Sequence, residues 1–449
     1  MTTATTWFGP RTHGLRRRSS QAAVRELIQR ELRDCGTWVH VEPVPLEPFV
    51  VSRPAYDELF DAARRVLALL RRTVAETAAT RAGRLAALGI PAGGGDRLPF
   101  LTDDEAYEWA YCDLMARPDI VIGPDGPRFL EFNVSGAFGG PVETHLFTEV
   151  WRQVYGGSDA PPFFAYDPMA ARADLFARLC AERGLPRAVA LIGDRRDRRA
   201  ATDRYFDVEA RLLRRRGFDA EVWEPGGLLA TAPSRARSFP LALCYFAASD
   251  WISRGDPLDP VRAVVAAGTL LLPPQTSYLL ADKKAMAWLS EGRPWMDAAD
   301  RDLVDRYVPW TRVVRDSRVR WRGEQHDLRR LLLGRQDSFV LKSAGGMMGT
   351  GVLIGRSCPP DQWDAAVAAS IGQEDAVVQE YVEPVRYEIE MVAATGGDPY
   401  RVAVAPVLSP CLFGGRPGGC YVRYHPSGRG GVVGVARGGA MENVLVAAA

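Results

Sequence analysis

Three groups of residues in this 449-residue chain have the types and spacing to handle phosphate and a divalent cation. The first is the stretch 339–355, FVLKSAGGMMGTGVLIG. An apolar, β-rich run ends in Lys342, a loop from Ser343 to Gly351 carries four glycines, and a second apolar run starts at Val352. Glycines let backbone N–H groups approach phosphate oxygens with no Cβ in the way, and a lysine adds a compact positive charge. An ordinary hairpin with a loose turn has the same signature. The second group is RPDIVIGPDGPRFLEFN, residues 117–133. DIVIG and RFLEFN read as two strands around a PDGP turn. Alternate side chains of a strand share a face, so Arg117 goes with Asp119 and Glu131 with Asn133. Paired as a hairpin, they bring two carboxylates and an amide oxygen together, a hard-oxygen set suited to Mg²⁺ bound with phosphates. Arg117 beside them suits a developing phosphoryl or tetrahedral oxyanion. A solvent-facing charged hairpin fits the same pattern. The third group is lysine itself, which occurs only at 283, 284 and 342 against 53 arginines. In a chain that uses Arg as its generic cation, the remaining lysines mark positions where a slim point charge is wanted.

The elements that must position these groups follow in chain order. Gln21–Arg33 reads as a short helix, and Ser52-Arg53-Pro54 starts a long amphipathic helix or helical pair running to about Leu88. A further helix is expected from Asp103 to Met115 with Thr102 as its cap, followed by the 117–133 hairpin. A parallel α/β unit comes next: strands at 188–193, 220–223, 241–246 and 270–274 alternate with helices at 207–216 and 260–268. Its LIGDRRDRR segment lacks a dinucleotide-binding fingerprint. Residues 277–292 read as one helix carrying Lys283 and Lys284. After the glycine-rich loop comes a helix from Pro360, then AVVQEYVEP at 376–384, an apolar strand whose polar continuation can offer backbone groups to an adenine edge. The Gly- and Arg-rich tail GGRPGGCYVRYHPSGRGGVVGVARGGAMEN reads either as a segment that closes over phosphate or substrate, or as irregular turns.

Composition bounds the reading. A length of 449 residues suits two or three domains, and 47% hydrophobic with 25% charged residues is ordinary for a globular protein. A net charge of +1 argues against a dedicated nucleic-acid binder, and no apolar run is long enough to span a membrane. The N-terminal stretch has no apolar core of the secretory kind. Seven scattered cysteines without a CxxC pair fit reduced cytosolic thiols, so a cytoplasmic location is expected.

Taken together, the motifs resemble the ATP-grasp ligases. Lys284, then Lys342 with its loop, then VVQEYV, is similar to their nucleotide site. The Arg-x-Asp…Glu-x-Asn element lies upstream of that site, an order that resembles the circularly permuted branch containing glutathionylspermidine synthase and eukaryotic glutathione synthetase. Arg117, Asp119, Glu131 and Asn133 match its spacing, with eleven residues between Asp119 and Glu131. The resemblance runs from about residue 117 to the end of the chain.

It implies an α/β (α+β) ATP-grasp fold, circularly permuted. The expected parts are a largely helical N-terminal region (1–116), a hairpin with the metal-site residues (117–165), an inserted parallel pre-ATP-grasp-like lobe (166–276) and a nucleotide-binding region (277–449). It further implies an ATP- and Mg²⁺-dependent, ADP-forming carbon–nitrogen ligase acting through an acyl phosphate on small carboxylate and amine substrates. Nucleotide contacts would come from Lys284, Lys342, Gly345, Gly346, Met347, Met348, Gly349, Thr350, Gly351, Gln379, Glu380, Tyr381 and Val382. Metal ligands would be Asp119, Glu131 and Asn133, with Arg117 catalytic and Ser135 and Arg423 candidate substrate contacts. The loop SAGGMMGTG departs from the family in carrying no charge. No amidase-type Cys/His domain is evident. A small-molecule kinase and a non-catalytic nucleotide-binding protein are the alternatives; neither substrate nor oligomeric state is legible.

Overall fold

The computed structural model describes residues 7–8, 15, 17–33, 43–156, 162–193, 204–224, 238–346, 349–433 and 440–448. Its centre is a seven-stranded sheet. Six strands run in the order Phe49–Val51, Met441–Ala448, Arg416–Tyr424, Val407–Phe413, Met115–Gly123 and Gly126–Asn133, and Phe163–Phe164 pairs with Met441–Ala448 at the margin. The expected hairpin is present, turning through Pro124 and Asp125 onto Gly126, whose φ of +113° favours glycine. The Gly- and Arg-rich tail contains two interior strands, Arg416–Tyr424 and Met441–Ala448. Two of its glycines serve close packing, since a Cβ on Gly418 would meet the Phe413 ring and one on Gly419 would meet Thr144 and the Tyr166 carbonyl.

One face of this sheet is covered by the helix Arg53–Ala75, whose apolar stripe (Leu59, Phe60, Ala63, Val66, Leu67, Leu70) follows the helical period. The Ser52 hydroxyl caps it by accepting from the Ala55 N–H. A second helix, Arg81–Ala87, completes the helical pair. The expected helix 103–115 is shorter, Glu105–Ala110, because Asp104 accepts from the Tyr107 N–H as its cap while Thr102 bonds to the buried Glu108. Met115 already belongs to the hairpin. On the opposite face, Pro141–Tyr155 and Pro168–Arg183 cover Met115, Cys411, Phe413, Val444 and Val446.

A four-stranded parallel sheet stands beside this core in the order Asp219–Trp223, Ala188–Ile192, Leu241–Cys244, Leu270–Leu272. The βα alternation seen in the sequence accounts for it. A four-stranded antiparallel sheet faces the hairpin, ordered Thr311–Val313, Ala376–Glu380, Phe339–Ser343, Val352–Ile354. Its outer face buries Phe339, Leu341 and Val378 against Leu328–Gly334 and Pro360–Gln373. The inner face presents Thr311, Val340, Lys342, Val377 and Gln379, as the period of two requires.

Candidate functional site

The hairpin register sets Arg117 opposite Asn133 and Asp119 opposite Glu131. It then shifts between Asp119 and Ile120, which pairs with Phe129, so Leu130 is the extra residue of a β-bulge. The freed Leu130 carbonyl turns to the facing sheet, where it accepts from Lys342 Nζ at 3.0 Å and Gln379 Nε2 at 3.3 Å. The bulge is thus the joint between the hairpin and the facing sheet.

The charged face of the hairpin continues across the sheet. Asp119 Oδ1 lies 2.6 Å from Arg423 and 3.7 Å from Arg117, and it accepts from the Ser409 hydroxyl at 2.8 Å. Burial alone would raise the Asp119 pKa; Arg423 and Arg117 outweigh it and hold the carboxyl well below the usual range. Arg117 also donates to the Gly139 carbonyl at 2.6 Å, and Asn133 Nδ2 donates to the Arg117 carbonyl at 3.1 Å. The Tyr421 hydroxyl donates to Glu442 on the next strand. The Nε atoms of Arg117 and Arg423 are buried without a hydrogen-bond partner among the described residues, so both guanidiniums keep a donor for an anion. Ser135, whose hydroxyl accepts from the Ala137 N–H, lies on the loop from Val134 to Gly140. That loop passes the carboxyl ends of two parallel strands, where a Cβ on Gly136 would meet the Cys244 and Leu272 carbonyls. Such strand ends are where open α/β sheets bind ligands.

On the facing wall Lys342 is buried, donating to Gln379 Oε1 at 2.7 Å and to Leu130. Burial lowers its pKa to about 8; Glu131 and Asp119 act against the shift and Lys283 adds to it. Lys283 Nζ lies 3.4 Å from Glu131 Oε2 and donates to the Gly346 carbonyl at 2.5 Å. Its backbone N–H donates to Ala344. Gly345, Gly346, Gly349, Thr350 and Gly351 shape the loop, with Gly349 and Gly351 at φ of +70° and +71°. Met347 and Met348 lie outside the described residues.

Lys284 is not where the sequence placed it. The expected helix 277–292 is broken by Asp282, whose extended backbone ends Ser277–Ala281 and whose side chain caps Lys283–Glu291. Consecutive helical residues point about 100° apart, so only one of the two lysines can face the hairpin. That one is Lys283. Lys284 lines a separate cleft of about 310 Å³ with Trp288, Glu291, Arg293, Arg315 and Glu374.

The segment 379–382 closes the far end. Gln379 also donates to the Thr311 hydroxyl, Glu380 pairs with Arg322 at 2.8 Å, and the Glu380 and Tyr381 N–H groups donate to Trp310 and Ser338. Val382 packs on Gly123, where a Cβ would approach its side chain to 2.9 Å.

Asp119 Oδ2, Glu131 Oε1 and Asn133 Oδ1 accept no hydrogen bond from a described residue, which leaves three hard oxygens on one hairpin face. This set fits a magnesium ion that keeps waters and phosphate oxygens in its shell. Among the described residues no group of three or more His, Cys, Asp or Glu is placed to hold a metal, so a closed all-protein cage is not built.

Arg97 is a site neighbour the sequence did not flag. Its guanidinium pairs with Asp282 at 2.8 Å and covers Gly345. Its partner is 185 residues away, and no local pattern announces such a contact.

No family model and no curated protein matches the chain. Among solved structures it is similar to a glutathione synthetase-like effector from Globodera pallida in apo form, at 13% identity and a TM-score of 0.53, covering 94% of this chain and 97% of that one. A provisionally named gamma-glutamylcysteine synthetase from Methylobacillus flagellatus matches at 13% identity and a TM-score of 0.40 over 86% and 85% of the chains. The first likeness places the fold with that of the glutathione synthetase-like protein. Among the described residues no helix is long and apolar enough to cross a membrane.

Proposed function

We propose that this chain is an ATP-dependent carboxylate–amine ligase of the circularly permuted ATP-grasp type, forming an amide through an acyl phosphate. The observation that carries the reading is the meeting of the hairpin and the small antiparallel sheet. The hairpin face that carries Asp119, Glu131 and Asn133 meets the lysines through Glu131–Lys283 at 3.4 Å and Leu130–Lys342 at 3.0 Å, beside a loop built on glycines. The likeness in fold to a glutathione synthetase-like protein supports it.

A carboxylate does not condense with an amine at neutral pH because hydroxide leaves poorly. In the proposed reaction a carboxylate oxygen attacks the γ-phosphorus and ADP departs. The amine then attacks the acyl carbon, phosphate leaves, and the amine gives up a proton. Lys342 and Lys283 bind the phosphates by exchanging the carbonyl and amide oxygens they now hold for phosphate oxygens. The residues 345–351 close over them and exclude water, which would otherwise hydrolyse the acyl phosphate. Gln379, Glu380, Tyr381 and Val382 border the base. Arg117 stabilises charge on the acyl phosphate and the tetrahedral intermediate. Ser135 and Arg423 orient the acid substrate at the strand ends. Asp119, Glu131 and Asn133 would hold Mg²⁺, which would supply positive charge to offset that of the phosphates during transfer.

The test is ADP release from Mg·ATP against pools of small carboxylates and amines, with mass analysis of products. The reading expects ADP only when an acid and an amine are both present, and a product equal to their sum less water. ADP release with a single acceptor contradicts the ligase and indicates a kinase.

A further inference from the structure

We infer that Arg97, from the N-terminal helical region, is a positioning residue of the phosphate-binding apparatus, taking the place of the charge that the glycine-rich loop lacks; this rests on the nucleotide site proposed above.

Arg97 ends the short 3-10 turn Gly95–Arg97, between the helix Arg81–Ala87 and the hairpin. Its Nη2 donates to Asp282 Oδ2 at 2.8 Å, and its Nη1 donates to the Leu88 carbonyl at 3.4 Å. The Asp282 side chain has 0% exposure, so its charge is fully removed from water, and Arg97 is its ion-pair partner. A buried carboxylate left unpaired is costly, so the pair matters to Asp282 although the Arg97 side chain is itself 40% exposed. Asp282 also accepts from the Lys284 N–H at 2.9 Å and so fixes the first turn of the helix that begins with Lys283.

The same guanidinium lies against the glycine-rich loop. A Cβ on Gly345 would stand 3.1 Å from Arg97 Nη2 and 3.3 Å from its Cζ. The neighbours of Gly345 are tied to Lys283: Ala344 through the Lys283 backbone N–H at 3.0 Å, and Gly346 through Nζ at 2.5 Å. Three consecutive loop residues are therefore gripped by Arg97 and Lys283, and Asp282 joins the two grips. The loop's own sequence, SAGGMMGTG, has no charge with which to hold itself. A planar fork that pairs with a carboxylate while lying flat on glycine is a geometry open to arginine and not to lysine.

The test is the dissociation constant of the full chain for Mg·ATP, ADP and AMP in the wild type and in Arg97→Gln, Arg97→Lys and Asp282→Asn, with thermal melting as the check on folding. If Arg97 sets the loop and Lys283, Arg97→Gln weakens ATP by about tenfold or more, as expected when a hydrogen bond to a charged group is lost. ADP is weakened less and AMP little. Arg97→Lys restores part of the loss, and Asp282→Asn combined with Arg97→Gln costs no more than the larger single change. An equal loss for ATP and AMP, or unchanged ATP affinity in a folded Arg97→Gln chain, overturns the inference while leaving the nucleotide site standing. Absence of ATP binding in the wild type overturns both, and is recognised because it does not depend on Arg97. Should Arg97→Gln fail to fold, Arg97→Lys decides: wild-type ATP affinity there overturns the inference, and a selective loss for ATP over AMP upholds it.

Discussion

On the hairpin wall Asp119 is held by two guanidiniums and a hydroxyl, whereas on the facing wall Lys342, no less buried, rests on a carbonyl and an amide oxygen. Burial is similar and the outcome is opposite. The carboxyl is driven below its usual range because the cations beside it outweigh burial, and the amine is pushed down to about 8 because burial outweighs the pull of Glu131 and Asp119. A buried charge that is already neutralised is built for stability and orientation. A buried charge solvated only by neutral oxygens is where an incoming anion gains most. On the proposed reading the phosphate binds the lysine wall, Asp119 serves the metal from a carboxylate already fixed by its arginines, and Glu131, half-open and paired to Lys283 at 3.4 Å, lies between the two.

The largest effect expected from this contrast is on the fold. Asp119→Asn leaves Arg117 and Arg423 buried without their counter-charge, so unfolding free energy should fall by about 3–5 kcal/mol. Denaturant titration reads this directly, and a loss below about 1 kcal/mol would make the network decorative. Glu131→Gln should instead spare the fold, since that side chain is 26% exposed, and reduce ADP formation by about a thousandfold, the scale of losing several kcal/mol of charge stabilisation. Near-normal turnover in a folded Glu131→Gln chain would remove it from the metal set. The adjacent lysines sharpen the comparison further: Lys283→Ala should weaken ATP by about tenfold or more, and Lys284→Ala by less than about twofold. The reverse ranking in a binding titration would move the site into the 310 Å³ cleft.

The smallest effect is in pH. The folded-state pKa of Lys342, about 8, lies below the ordinary lysine value of 10.5, so between these values the unfolded chain binds more protons. The contribution of this group to stability therefore rises as pH climbs through 8 toward 10.5, as its burial penalty is relieved. ATP affinity, which needs the ammonium, should fall over the same window. An affinity that stays flat there separates Lys342 from the phosphates.

Much of this was legible where local chemistry decides structure. The PDGP turn between apolar runs announced the hairpin, and alternation put Arg117 with Asp119 and Glu131 with Asn133. The bulge at Leu130 was hidden, because a single extra residue in a ladder leaves no mark on an apolar run. Lys283 and Lys284 were legible as a pair but not as two directions, since their phase depends on Asp282 breaking the helix. Arg423 and Arg97 act through partners far along the chain, and the glycine-rich tail hid two strands because Gly418 and Gly419 serve strand packing while Gly414 and Gly415 make the turn before them.

The most direct test of the account is calorimetric titration of the chain with ATP, with and without Mg²⁺, beside Lys342→Met. The account predicts saturable, magnesium-strengthened binding that is lost in the variant while the fold persists. Equal ATP binding by the wild type and a folded Lys342→Met chain, or none by the wild type, would contradict the assignment of the lysine wall to phosphate.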